Sequence, residues 1–400
     1  MYLIDYFNVD KAFGGNGKFR EFVEAAHKKG IKVMLDAVFN HCGPLHKFWQ
    51  DVIRNGRKSP YYDCFYILDK NEPVISGKIR DDGSYEECAA SGRLNFRTFG
   101  NTSYMPKINT GNAVWRQYLL EAARKWTQEY KIDGWRLDVS NEVSHDFWRT
   151  FRKVVKEINP DIYIMGENWD DAYEWLRGDQ FDSVMNYGFL NAVWGFLCPE
   201  DSFKGNVAST HLTASGYRYE IDSLIGRYPR NVTEHLFNLV SSHDVDRLLT
   251  VMGEEPELVK LAYVLSMTYS GAPSVYYGDE IGMSGRGSGS RAPMIWDQNR
   301  QNLDLQETVR KLIRLRKQNP VMKAVDITWE LIEDDKSVII FSKEQNQDKI
   351  YVAVNASADS QEILLPDGLG NRKLRDLYRQ EEILLKERLT MAPYEFYILQ

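Results

Sequence analysis

Cysteine is scarce, with 4 in 400 residues at Cys42, Cys64, Cys88 and Cys198, and no two of them form a CxxC pair. That spacing suggests neither a zinc site nor a dense disulfide framework, and it reads as free thiols in a reducing, cytoplasmic compartment. No apolar run is long enough to span a bilayer, and no charged-then-apolar leader opens the chain, so no membrane role is indicated. Positive charge is in the minority: Lys and Arg number 50 against 57 Asp and Glu, for a net charge of -7, which argues against nucleic acid as a partner. No internal repeat or low-complexity tract is visible.

What is abundant is apolar and aromatic. Hydrophobic residues make up 43% and aromatics 13%, enough for a large core and more than one domain. The 10 Trp and 23 Tyr suit a sugar-binding cleft, and core packing explains them equally well.

Along the chain, strand-like and helix-like patterns alternate. Residues 18–29 have helical spacing and stop at Gly30, and the strand 31–35 leads into Asp36, Asn40 and His41. Residues 42–112 break the rhythm and read as an inserted subdomain. The alternation resumes with a helix over 113–130 and a strand over 130–137. It continues with a helix over 143–158, stopped by Asn159-Pro160, and strands over 163–165, 181–185 and 236–240. An apolar helix over 256–269 and a strand over 274–277 complete about six strand-then-helix units, with polar residues at each strand's C-terminal end. This is the pattern of an α/β barrel, two units short of eight. After a helix over 303–318, Asn319-Pro320 marks a boundary, and short β-branched or aromatic runs indicate a small all-β domain. The expected division is a catalytic barrel over 1–320, with 42–112 inserted after its third strand, and a C-terminal β-sandwich over 321–400.

The stretch Gly134-Trp135-Arg136-Leu137-Asp138 is the centre of this plan. Two residues apart on a strand, Arg136 and Asp138 point to one side and can pair, keeping the carboxylate ionised. Taken alone the pair is as readily a structural ion pair as a catalytic one. A retaining glycosidase needs a nucleophilic carboxylate and a second carboxyl group about 5 Å away. Asp138 and Glu167 end successive strands, and Asp244, beside His243, ends a later one.

Six ordered motifs carry a resemblance: DAVFNH at 36–41, MPKIN at 105–109, GWRLDVSNE at 134–142, GEN at 166–168, SHD at 242–244 and GDE at 278–280. Together they resemble the α-amylase family, glycoside hydrolase family thirteen. The resemblance implies a (β/α)8 barrel with Asp138 as nucleophile, Glu167 as general acid and base, and Asp244 as the residue that grips the sugar hydroxyls. Arg136 would keep the nucleophile ionised, and His41 and His243 would donate to the sugar, with Asp36 and Asn40 supporting His41. Glu167, with Trp169 close by in an apolar setting, is expected to hold its proton near neutral pH.

MPKIN and VSNE are similar to the neopullulanase, cyclomaltodextrinase and maltogenic amylase branch, where Glu142 lines the acceptor side. That branch acts on cyclodextrins, pullulan and maltooligosaccharides, hydrolysing and transferring. It requires no metal or organic cofactor for the chemistry; a structural calcium is compatible with the family, but the sequence offers no ligand set for one.

Three departures stand out. The family's N-terminal sandwich and first two barrel strands would precede Met1, so the chain is expected to hold a barrel lacking two strands. The sugar-stacking Tyr falls at Met1, with Tyr2 one place late. The second departure is Val245-Asp246 after Asp244, which adds a negative charge, and the third is Ser140 in place of Ala. The α-glucan is the expected partner and a homo-oligomer is left open. A second reading is a catalytically silent glucan-binding or assembly module of the same fold.

Overall fold

The computed structural model describes residues 3–75, 77–85, 94–100, 102–199 and 210–400. The chain divides into two compact units, 1–168 with 172–184 and 169–171 with 185–400. The expected boundary at residue 320 is a different division and falls inside the second unit.

In the first unit the order is α1 (Gly15–Lys28), β1 (Met34–Ala37), α2 (Lys47–Asn55), α3 (Ala113–Glu129), β2 (Gly134–Leu137), α4 (His145–Ile158), β3 (Tyr163–Gly166) and β4 (Ser183–Val184). The four strands form one parallel sheet in the order β1-β2-β3-β4, with Asp36 opposite Arg136 and Arg136 opposite Met165. Crossover helices join parallel strands, and their apolar stripes cover the sheet. α4 buries Phe147, Trp148, Phe151, Val154 and Val155, the spacing of one helical face. The Ser144 hydroxyl accepts from Phe147 N and fixes where α4 begins. Phe39 packs against Trp135, Phe147, Trp148 and Phe151, so the residues just past β1 are held by the same aromatic core. Each such fully buried side chain contributes on the order of 2 kcal/mol.

The described residues between α2 and α3 form short turns and isolated bridges: His41, in the loop after β1, bridges Lys107, and Phe65 bridges Ile108 within the segment itself. Ile108 N donates to Asn40 O and Cys42 N to Pro106 O, so the segment at 105–109 is stitched along the loop that follows β1.

The second unit contains α5 (Tyr187–Leu197), α6 (Ala214–Arg227), α7 (Arg230–Thr233), β5 (Phe237–Asn238), α8 (Leu248–Val251), α9 (Pro256–Thr268), β6 (Ala272–Pro273) and α10 (Leu303–Gln318). β5 and β6 pair in parallel. The strand expected over 274–277 lies upstream, at Ala272–Pro273. Ladder bonds from Ala272 N to Leu236 O and from Ser274 N to Asn238 O end the pairing there, and Tyr276 and Tyr277 turn instead beneath the Arg247 guanidinium.

Strands β7 (Thr328–Glu333), β8 (Val338–Gln345), β9 (Asp348–Asn355), β10 (Gln361–Leu364), β11 (Arg372–Asp376), β12 (Glu381–Leu385), β13 (Arg388–Met391) and β14 (Phe396–Leu399) complete the chain. Among the described residues they form a six-stranded antiparallel sheet, β12-β11-β14-β9-β8-β7, and the separate pair β10-β13. Ile363 and Met391 of the pair share one core with Val338, Ile340, Ala353 and Leu374 of the larger sheet, giving an all-β domain of two layers.

Candidate active site

The ends of β1, β2 and β3 meet around one guanidinium. Arg136 Nη1 lies 2.6 Å from Asp138 Oδ1, Nη2 lies 2.9 Å from Glu167 Oε2, and Nε lies 3.4 Å from Asp36 Oδ1. Asp36 sits there because it is Arg136's register partner on β1, and Glu167 because it follows the last residue of β3. Arg136, Asp138 and Glu167 are all buried, so their charges interact across little water. Burial works against the Arg136 charge, but Glu167, Asp36 and Asp138 outweigh it and the guanidinium is raised above its ordinary value.

Backbone geometry completes the cluster. Val139, directly after Asp138, adopts a left-handed conformation with φ 46°, costly for a β-branched residue. Its N–H donates to Glu167 Oε2 at 2.9 Å, so this turn joins the two acids. The buried Ser140 hydroxyl lies 3.0 Å from Glu167 O and 2.6 Å from Asn168 Oδ1, and Trp148 Nε1 donates to Ser140 O at 2.8 Å. Gly166 leaves the room for this contact: a Cβ there would stand 2.5 Å from Phe181 Cε2 and 2.9 Å from Ser140 Oγ.

The Glu167 carboxylate lies between Arg136 Nη2 and the Val139 N–H, both 2.9 Å from Oε2. Trp169 stacks on Tyr187 with ring centroids 4.0 Å apart in the second unit.

The loop after β1 forms a second cluster. Glu142 Oε2 accepts from Lys107 Nζ at 2.6 Å and from Asn40 Nδ2 at 3.1 Å. Asn40 and His41 are fully buried, and the His41 ring stacks on Phe99 at 4.9 Å. Tyr6 lies beneath, its hydroxyl 2.9 Å from the carbonyls of both Val38 and His41. Tyr2 lies outside the described residues, as does Cys88; Cys42, Cys64 and Cys198 are free and buried.

In the second unit, Asp244 Oδ2 is 3.0 Å from His243 Nε2 and Oδ1 is 2.7 Å from Arg291 Nη2. Nearby, Arg247 is wholly buried and donates to Tyr277 O and Asp279 Oδ1. Burial pushes the Asp279 carboxyl up to about 6, with Ser241 and Arg247 only partly offsetting it.

Sequence reasoning assigned no role to Lys107, Ser140 or Arg291. Lys107 lies inside the motif at 105–109, and its charge in an otherwise uncharged stretch was the available signal. Ser140 differs from Ala by one buried hydroxyl, whose partners come from another strand. Arg291 is 47 residues from Asp244, and nothing in the local pattern links them.

Among the described residues no cluster of three or more His, Cys, Asp or Glu is placed to hold a metal ion, and no helix is long and apolar enough to cross a membrane.

Comparison with known proteins places the chain in a family. Residues 2–350 match the alpha amylase catalytic domain and residues 330–398 the maltogenic amylase C-terminal domain. The chain belongs to the α-amylase family of glycoside hydrolases. It is 39% identical to a cyclomaltodextrinase of Geobacillus thermopakistaniensis, over 98% of this chain and 63% of that protein. It is 38% identical to neopullulanase 2 of Thermoactinomyces vulgaris, over 99% of this chain and 64% of that one. A crystal structure of a Thermus thermophilus protein superposes with a TM-score of 0.88 at 33% identity, covering 100% of this chain and 83% of the other. The chain thus spans slightly less than two thirds of the length of these two curated relatives.

Proposed function

We propose that the chain carries the catalytic machinery of a retaining α-glucan hydrolase of the cyclomaltodextrinase and neopullulanase type. It would cleave α-1,4 and α-1,6 bonds in cyclodextrins, pullulan or maltooligosaccharides and transfer glucosyl units as well as hydrolyse. The observation that carries this reading is Arg136 holding Asp138 and Glu167 on neighbouring nitrogens of one guanidinium. That constraint keeps the acids close, in keeping with the separation of about 5 Å that a retaining mechanism requires.

In the first step an Asp138 oxygen attacks the anomeric carbon as the bond to the leaving oxygen breaks, and Glu167 gives that oxygen its proton. In the second, water attacks the same carbon, Glu167 takes the water's proton and the bond to Asp138 breaks; a sugar hydroxyl in place of water gives transfer. Glu167 must be protonated for the first step and ionised for the second. Asp244 and His243 are assigned to the sugar hydroxyls, as are His41, Asn40, Glu142, Trp169 and Tyr2. Asp36 supports the cluster through Arg136. The chemistry calls for no cofactor, and the α-glucan is the only partner it needs.

The support is the acid cluster together with the names of relatives 38% and 39% identical over nearly the whole chain. Trapping tests it. A 5-fluoro-glucosyl fluoride should label the peptide containing Asp138 and leave Asp138→Asn unlabelled; label on the Glu167 peptide would overturn the assignment.

A further inference from the structure

We propose that Arg291 is a positioning residue for Asp244, and that Asp246 puts it there by fastening the glycine-rich turn at 285–291. The proposal rests on the role assigned to Asp244 and extends it to residues that no comparison assigns.

The Arg291 guanidinium reaches both parts of its target. Nη2 lies 2.7 Å from Asp244 Oδ1, while Nε donates to His243 O at 2.9 Å. His243 Nε2 takes the other Asp244 oxygen at 3.0 Å, so the carboxylate is held from both sides. Only a planar fork of donors can bridge a carboxylate and a neighbouring carbonyl in this way; an ammonium acts as a point charge.

Arg291 ends the 3-10 turn Gly287–Arg291, and the preceding sequence, Gly285-Arg286-Gly287-Ser288-Gly289-Ser290, would be a flexible linker if left alone. It is not left alone. Gly287 N donates to Asp246 Oδ1 at 2.8 Å, and Arg286 Nη1 lies 3.8 Å from Asp246 Oδ2. Arg247 N donates to Gly285 O at 3.0 Å, Gly285 N to Thr250 Oγ1 at 2.9 Å, and the Tyr276 hydroxyl to Ser290 O at 3.1 Å. Gly287 takes a positive φ of 52°, and a Cβ on Gly285 would stand 2.5 Å from Gly289 O, so the turn closes on itself only with glycine at those places. Asp246, the acid that departs from the family pattern, therefore holds the turn that presents Arg291. The extra charge does not face the sugar uncompensated, because it is met by a backbone N–H and an Arg.

Hydrogen exchange on the whole chain separates anchor from output. Asp246→Ala should speed exchange across 285–292 by about tenfold, whereas Asp244→Asn should leave it slow. Equal opening by Asp244→Asn would mean that Asp244 holds the turn, and would overturn the proposal. With γ-cyclodextrin as substrate, Arg291→Ala should lower kcat roughly tenfold with KM nearly unchanged, since what is lost is transition-state stabilisation by Asp244. Arg291→Lys should restore only part of this. Asp246→Ala should also lower kcat and add little to Arg291→Ala in the double variant. A rise in KM with kcat held would show that Arg291 binds sugar itself, which contradicts a positioning role. A parent chain without activity would count against the proposed function, while the exchange experiment would still decide which residue holds the turn.

Discussion

Replacing Arg136 by Met removes one charge from the centre of three. Arg136, Asp138 and Glu167 have side chains at most 11% exposed, and Asp36 is 32% exposed, so two of the three acids would lose this cation while buried. Removing one partner of a buried ion pair costs about 3–5 kcal/mol, because the remaining charge keeps its desolvation penalty. For a chain of this size that corresponds to a thermal midpoint lowered by roughly 5 °C, and by somewhat more if the first unit unfolds separately. Thermal or urea unfolding followed by Trp fluorescence measures it. A difference below about 1 kcal/mol near neutral pH would refute the claim that the cluster is held by this cation.

Gly166→Ala should destabilise the protein by about 1–3 kcal/mol in unfolding assays, since the added Cβ meets the Phe181 ring and the Ser140 hydroxyl. Ser140→Ala should cost about 1–2 kcal/mol by the same measurement, through loss of a buried donor to Glu167 O and Asn168 Oδ1. Burial raises the Asp279 carboxyl to about 6, so the native state holds a proton that the unfolded chain has released. Its contribution to stability should grow as pH falls from about 7 to about 4, and Asp279→Asn should flatten that part of the curve. Burial, aided by Arg316, pushes the Lys343 ammonium well below its ordinary value, with Nζ donating to Thr268 O and Met322 O. Here the unfolded chain binds more protons, so stability should rise with pH from neutrality towards about 10, and Lys343→Met should remove the rise.

The parts of this arrangement legible in the sequence are those set by local spacing. α10 runs from Leu303 to Gln318 as its periodicity predicts, because Asn302 caps its start and Asn319-Pro320 stops its end. The two-residue spacing of Arg136 and Asp138 implies a shared side of β2, and the 2.6 Å contact follows from it. Arg136's other partners come from β1 and β3, and only the sheet register brings them in. β11 and β12 are hard to read from the sequence because charged residues interrupt their apolar positions; in Arg372–Asp376 only Leu374 and Asp376 are buried. Val139 gives no sign of a left-handed turn, since its sequence type argues against one. That strain becomes visible only when its N–H is seen on Glu167.

The central claim, that Asp138 is the nucleophile of an α-glucan hydrolase, is tested most directly by release of reducing ends from γ-cyclodextrin. The chain would be compared with an Asp138→Asn variant of equal solubility and equal thermal midpoint. Release by the parent alone is the result predicted. Equal release by both would contradict the assignment of Asp138, and release by neither, with both folded, would contradict hydrolysis by this chain.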